Sequence, residues 1–257
     1  MTVPTHKDYQ DRSLRIAQAL AAARPEDLAG DLVATVNAAR GAVLFCQINQ
    51  THRFEQLEQR LEFLAAGFDD FEVRLADYVR GTAPAGRGGT SDDAEQFLLW
   101  LSANRTLTDE QCDYVAGQRA RHAIEELARR NRMPLMHFQE LLEMVDVLGE
   151  KFGEDRLLRV HLNPIRVWTR FETAALLQPN VPRPAEIVCY AADGEIRLAV
   201  LEAGGLEKVR ELAAISPCTL DDWLTYNARF AGNHPPPRRV LADLCRELAS
   251  LGLVAFG

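Results

Sequence analysis

Positive charge is in short supply in this chain: 29 Lys and Arg stand against 37 Asp and Glu, a formal charge of −8 at pH 7 and a pI near 5.3. Binders of a phosphate backbone usually carry the opposite excess, so nucleic acid is not an expected partner beyond what local basic patches allow. Apolar runs long enough to cross a bilayer are also missing, because charges interrupt every apolar stretch, and no membrane association is expected. Residues 1–15 hold charges and no apolar core, so no signal peptide is expected. Cysteine is sparse and scattered. Cys46, Cys112, Cys189, Cys218 and Cys245 are odd in number and lack C-x-x-C spacing, which suits reduced thiols in a cytoplasmic protein better than a disulfide frame or a zinc site. The G-x-S-x-G, H-E-x-x-H, Walker and G-x-G-x-x-G patterns are absent too, so nothing marks this chain alone as a catalyst. What is present is ordinary globular composition, 47% hydrophobic and 26% charged, over 257 residues, enough for one large or two modest domains.

The first 150 residues read as helical. Apolar residues recur at helical spacing over 14–23, and Pro25-Glu26-Asp27 opens a second helix with acids at its positive end. Over 43–66, Leu44, Ile48, Phe54, Leu57, Leu61 and Leu64 are expected to share the face of a long or kinked helix, continued by Phe71, Leu75, Tyr78 and Val79. Residues 80–90 hold four glycines and a proline and read as a surface loop; no strand precedes them, so a phosphate-cradling loop is not expected. Asp92 and Glu95 are spaced as a capping box for the next helix, with Phe97, Leu98 and Leu101 in its core. Thr108 and Gln111 match that pattern better for a helix running to about Asn131. A further helix, opened near Pro134, should stop at Gly149.

After Gly153 the texture shifts toward Val, Trp, Thr and Phe. Strands are expected near 157–160 and 166–175, then a proline-rich connector over 178–184. Residues 187–191 and 196–201 form the clearest element, a hairpin joined by Asp193-Gly194, a dipeptide suited to a two-residue type I′ turn. Helices follow over 205–214, 219–230 and 236–251, with Gly252 as the stop. The fold class is therefore α+β: a helical domain over 1–153, then a small winged-helix-like domain over 154–257, a hairpin or sheet plus three helices.

Three groups of residues bear on chemistry. His122 with Glu126 and His137 with Glu140 offer two histidines and two carboxylates, the raw material of a di-iron site. Such sites use a Glu-x-x-His order, reversed here, and Arg119, Arg121, Arg129 and Arg130 surround His122 in sequence. Cys46, Cys189 and Cys245 lie on apolar stretches, where a small buried residue is the plainer role. Arg238, Arg239 and Arg246 lie on the last helix, where a winged-helix DNA reader would carry its contacts, yet they also fit the wet side of an amphipathic helix with Leu241, Leu244, Leu248 and Leu251. No catalytic residue, metal site or cofactor is expected.

The C-terminal third resembles the PqqD-like RiPP recognition element, a domain that captures precursor peptides of ribosomally made, modified natural products. The likeness rests on the order of parts: the hairpin, then a helix leading to Pro217-Cys218-Thr219-Leu220-Asp221-Asp222-Trp223-Leu224, like the family's T-x-x-E-L start of its middle helix. A last helix then closes with Leu248-Ala249-Ser250-Leu251-Gly252-Leu253-Val254, like its L-x-x-L-x-x-x-G-L ending. Pro235-Pro236-Pro237 and the long N-terminal region depart from the family. The whole chain also looks like the partner subunits of multinuclear non-haem iron oxidases such as those of 3-thiaglutamate or methanobactin-type pathways. That resemblance implies a non-catalytic subunit that binds a precursor peptide and presents it to a TIM-barrel iron oxidase in a heteromer. The peptide is expected to pair beside the strand over 196–201 and lie against the last helix, touching Arg197, Ala199, Leu201, Arg238, Leu241, Leu244 and Leu248. Ile196, Leu198 and Val200 would face the domain's own helices, and a proline at Ala199 would remove a donor that the peptide needs. The alternatives are a winged-helix transcriptional regulator with a helical sensing domain and a helical-bundle metalloenzyme.

Overall fold

The computed structural model describes residues 36–84, 90–152, 154–173, 175–177, 181–201, 203–230 and 237–257. The helices expected over 14–23 and from Pro25, residues 85–89 of the glycine-rich stretch and Pro235-Pro236 lie outside those residues. The fold is mixed α+β. The chain divides into two compact units, Met1–Gln118 and Arg119–Gly257, with the division inside a helix.

The described part of the first unit is helical: α1 (Val36–Arg60), α2 (Glu62–Ala65), α3 (Phe71–Gly81), α4 (Thr90–Asn104) and the start of α5 (Asp109–Arg130). Leu57, Leu61, Leu64, Phe71, Leu75, Tyr78, Val79, Phe97, Leu98 and Leu101 form its core, as the periodicity predicts. Leu44 and Ile48 do not join them; both are exposed. Among residues 43–60 the inward positions of α1 are Cys46, Arg53 and Leu57. Leu44 stands nine residues before Arg53 and Ile48 nine before Leu57, two and a half turns in each case, which puts them on the opposite face.

The buried arginine anchors this unit. Arg53 Nε and Nη2 donate to the Asp93 carboxylate at 2.6 and 2.8 Å, and the Tyr78 hydroxyl donates to Asp93 Oδ1 at 2.7 Å. Arg53 also donates to the carbonyls of Val79 and Thr82, and its guanidinium lies 4.9 Å from the Tyr78 ring centre. α1, α3 and α4 are thus tied by one satisfied charge pair. α4 begins at Thr90, so Asp92 is inside the helix and not at its cap. The second capping box forms as expected: Gln111 N–H donates to Thr108 Oγ1 at 3.2 Å and Thr108 N–H to Gln111 Oε1 at 3.1 Å.

The second unit contains the rest of α5, then α6 (Arg132–Leu142), α7 (Val145–Lys151), β1 (Arg159–Leu162), β2 (Arg166–Phe171), β3 (Ala185–Ala192) and β4 (Glu195–Val200). After these come α8 (Ala203–Ile215), β5 (Cys218–Thr219), α9 (Leu220–Phe230), α10 (Arg238–Ser250) and β6 (Val254–Phe256). Two antiparallel three-stranded sheets are ordered β5-β1-β6 and β2-β3-β4. One core, with Val188, Tyr190, Trp223, Leu241, Cys245, Leu248 and Phe256, underlies both. The helix expected to stop at Gly149 instead breaks at Glu143-Met144 and resumes through Gly149 to Lys151. Gly149 is a close approach: a Cβ there would meet the Phe256 ring at 3.3 Å. α6 and α7 both pack on β6, a strand absent from the expectations.

Local signals shape the remainder. Asp193 and Gly194 have φ of 53° and 78°, the left-handed pair that a type I′ turn requires. α10 ends in a Schellman motif: Gly252 has φ 76°, its N–H donates to Ala249 O at 2.9 Å, and Leu253 N–H donates to Leu248 O at 3.0 Å. Buried Asn163 holds the β1–β2 corner, with Nδ2 donating to Ala191 O at 2.8 Å and Oδ1 accepting from Ile165 N–H at 2.9 Å.

Candidate functional site

β4 is an edge strand. Among the described residues nothing pairs with its outer side. The two-residue turn makes Ala192 and Glu195 the pair that closes the hairpin, and hydrogen-bonded pairs alternate from there along an antiparallel ladder. The N–H and C=O groups of Glu195, Arg197 and Ala199 therefore point to β3, and those of Ile196, Leu198 and Val200 point out from the sheet edge. A proline at Ala199 would break the hairpin's own ladder, contrary to expectation; the outward donors are at 196, 198 and 200.

Side-chain direction also reverses the expectation. Ala199 pairs with Val188 and is buried in the core with it, whereas Leu198 and Val200 remain 43% and 40% exposed. A strand can turn only one parity inward, and the core already holds Val188 and Tyr190, whose partners are Ala199 and Arg197. On the other face Val167, Cys189 and Leu198 form one cross-strand row and Thr169, Ile187 and Val200 the next. Ile187 and Cys189 are buried, and burial pushes the Cys189 thiol up to about 12, which leaves it an inert apolar group. These rows end at the open edge with Leu198 and Val200.

The other expected contacts are mostly committed elsewhere. Leu241 and Leu248 are fully buried, and Leu201 and Leu244 pack against the same core. Arg197 pairs with Asp193 at 2.7 Å and Arg238 with Asp221. Arg246 donates to the Gly149 and Phe152 carbonyls at 3.1 and 2.6 Å, closing the end of α7. α10 packs on β6, α9 and α7 and turns Arg239, Val240, Asp243 and Glu247 outward. Thr219 and Asp222 form the capping box of α9, and their hydrogen bonds hold the Asp222 carboxyl below the usual carboxylate range.

Of the expected His–Glu pairs, His137 and Glu140 approach, with Nδ1 3.7 Å from Oε2 on two exposed side chains. Glu126 pairs with Arg129 and Arg130, and His137 lies beside His161 with ring centres 5.9 Å apart. Among the described residues no group of three or more His, Cys, Asp or Glu could hold a metal ion, and no helix is long and apolar enough to cross a membrane. Comparison with family models, curated proteins and solved structures gives no match for this chain.

Proposed function

We propose that this chain is a non-catalytic peptide-binding subunit that captures an extended segment of a ribosomal precursor peptide and presents it to a partner enzyme, a multinuclear non-haem iron oxidase. The observation that carries the reading is the open β4 edge, where three outward amide and carbonyl positions coincide with exposed Leu198 and Val200. A peptide added there would satisfy those groups by β-augmentation and set its alternate side chains beside the apolar rows. The β2-β3-β4 meander followed by α8, α9 and α10 supports a winged-helix-like peptide-recognition module. The five free cysteines, four of them buried, fit a reducing compartment such as the cytoplasm. A DNA-reading module is less well supported, since Arg238 and Arg246 on α10 are engaged within the chain.

Selection of displayed peptides on the immobilised full chain, then fluorescence anisotropy with a selected peptide, tests the reading. Binders should carry apolar residues at alternate positions. Leu198→Pro, which removes an outward donor and leaves the hairpin's inward bonds in place, should weaken binding at least about tenfold, or about 1.4 kcal/mol. No enrichment, or unchanged affinity in a folded Leu198→Pro chain, would refute it.

A further inference from the structure

Three of the chain's four methionines stand on one exposed helical stripe. Met133, Met136, Met144 and Val147 are 71%, 44%, 47% and 52% exposed along α6 and α7. The joint between the helices is one tightened turn: Met144 N–H donates to Leu141 O at 3.1 Å and Leu148 N–H to Met144 O at 3.0 Å. Met133, Glu140 and Val147 are seven apart, with Met136 and Met144 between them, the spacing of a helix-packing seam about 21 Å long. The opposite side of α6 is in use, with Phe138 buried and Leu141 beside Gly257. Large flexible thioethers on an exposed face are a costly way to meet water and a common way to meet a partner.

Charge along the stripe is graded. Arg129, Arg130 and Arg132 cluster at its start, Glu140, Glu143, Asp146 and Glu150 follow toward its end, and one base, Lys151, closes it. Such a gradient is self-complementary when reversed. We propose that α6–α7 is a homodimer interface that takes a second copy of this chain, its α6–α7 stripe packed antiparallel about a two-fold axis at Glu140. In that register Met133 meets Val147 of the second copy, Met136 meets Met144, and Arg130 meets Glu150. Arg130 bonds Glu126 of its own chain at 2.5 Å, an exposed pair of small worth that leaves it open to a second carboxylate. The axis also brings the two Glu140 side chains together and sets Arg129 opposite Lys151 of the second copy, so the dimer carries repulsions at its centre and at its ends.

Sedimentation equilibrium of the full chain at low ionic strength tests this, with circular dichroism as the fold control. The wild-type chain should dimerise and loosen with added salt. Met136→Glu and Met144→Glu should each give monomers with unchanged dichroism, since both side chains are exposed. Arg130→Glu and Glu150→Arg should each weaken the dimer and the double variant should restore it, whereas Glu140→Gln should tighten it roughly two- to fivefold. A wild-type chain monomeric up to about 0.1 mM, a dimer unaffected by the methionine substitutions, or no recovery in the double charge variant would overturn the proposal.

Discussion

Replacing Asp93 by alanine removes the acceptor of both short Arg53 bonds and the shorter of the two acceptors of the Tyr78 hydroxyl, and leaves a buried guanidinium among carbonyls, the Thr82 hydroxyl and the Tyr78 ring. Breaking a buried pair from one side costs about 3–5 kcal/mol, most of it the uncompensated charge. Set against a total stability of about 5–15 kcal/mol, that is enough to open the helical unit while the sheet-bearing unit stays folded. Hydrogen exchange reads the two separately. Peptides from α1, α3 and α4 should exchange roughly two to nearly four orders of magnitude faster, and those from β2, β3 and β4 should be unchanged. Replacing both partners, with Arg53→Met and Asp93→Leu together, removes the stranded charge and should recover much of the loss. An Asp93→Ala chain within about 1 kcal/mol of wild type, or a double variant no better than the single one, would refute the view of this pair as a buried lock.

The second unit should weaken in acid. Burial, the neighbouring His137 and Arg159 together hold the His161 imidazole below its ordinary 6.5, so the unfolded chain takes up the proton first. That stability is present above pH 6.5 and lost as the pH falls below it; His161→Gln should flatten the slope, measured by urea unfolding across that range. Native thiol titration should find one reactive cysteine, Cys112, and five in denaturant. Cys112 should react more slowly than free cysteine at neutral pH, because burial and then Asp109 and Asp113 raise its pKa.

The legible parts of this fold are those whose causes lie within a few residues. Asp193-Gly194 carries its turn in its own backbone preferences, Thr108 and Gln111 carry their cap, and Gly252 its stop. β6 is three residues long and exists through pairing with β1 more than ninety residues earlier, so no local period announces it. Gly149 imitates a helix stop, yet glycine is equally what a close ring such as Phe256 demands. Arg53 and Asp93 stand 40 residues apart with no local pattern linking them, and only the fold makes them a pair. The error at β4 is of the same kind: alternation divides its side chains into two sets, and only the partner strand decides which set turns inward.

Residue-resolved amide exchange of the full chain, with and without a selected peptide, reads the open edge of β4 one amide at a time. Ile196, Leu198 and Val200, whose N–H groups face away from β3, should gain protection of about tenfold or more when peptide is bound, while Arg197 and Ala199, already bonded to β3, should change little. Protection that appears on another element, or none at those three amides with the peptide bound, would contradict peptide docking at this edge.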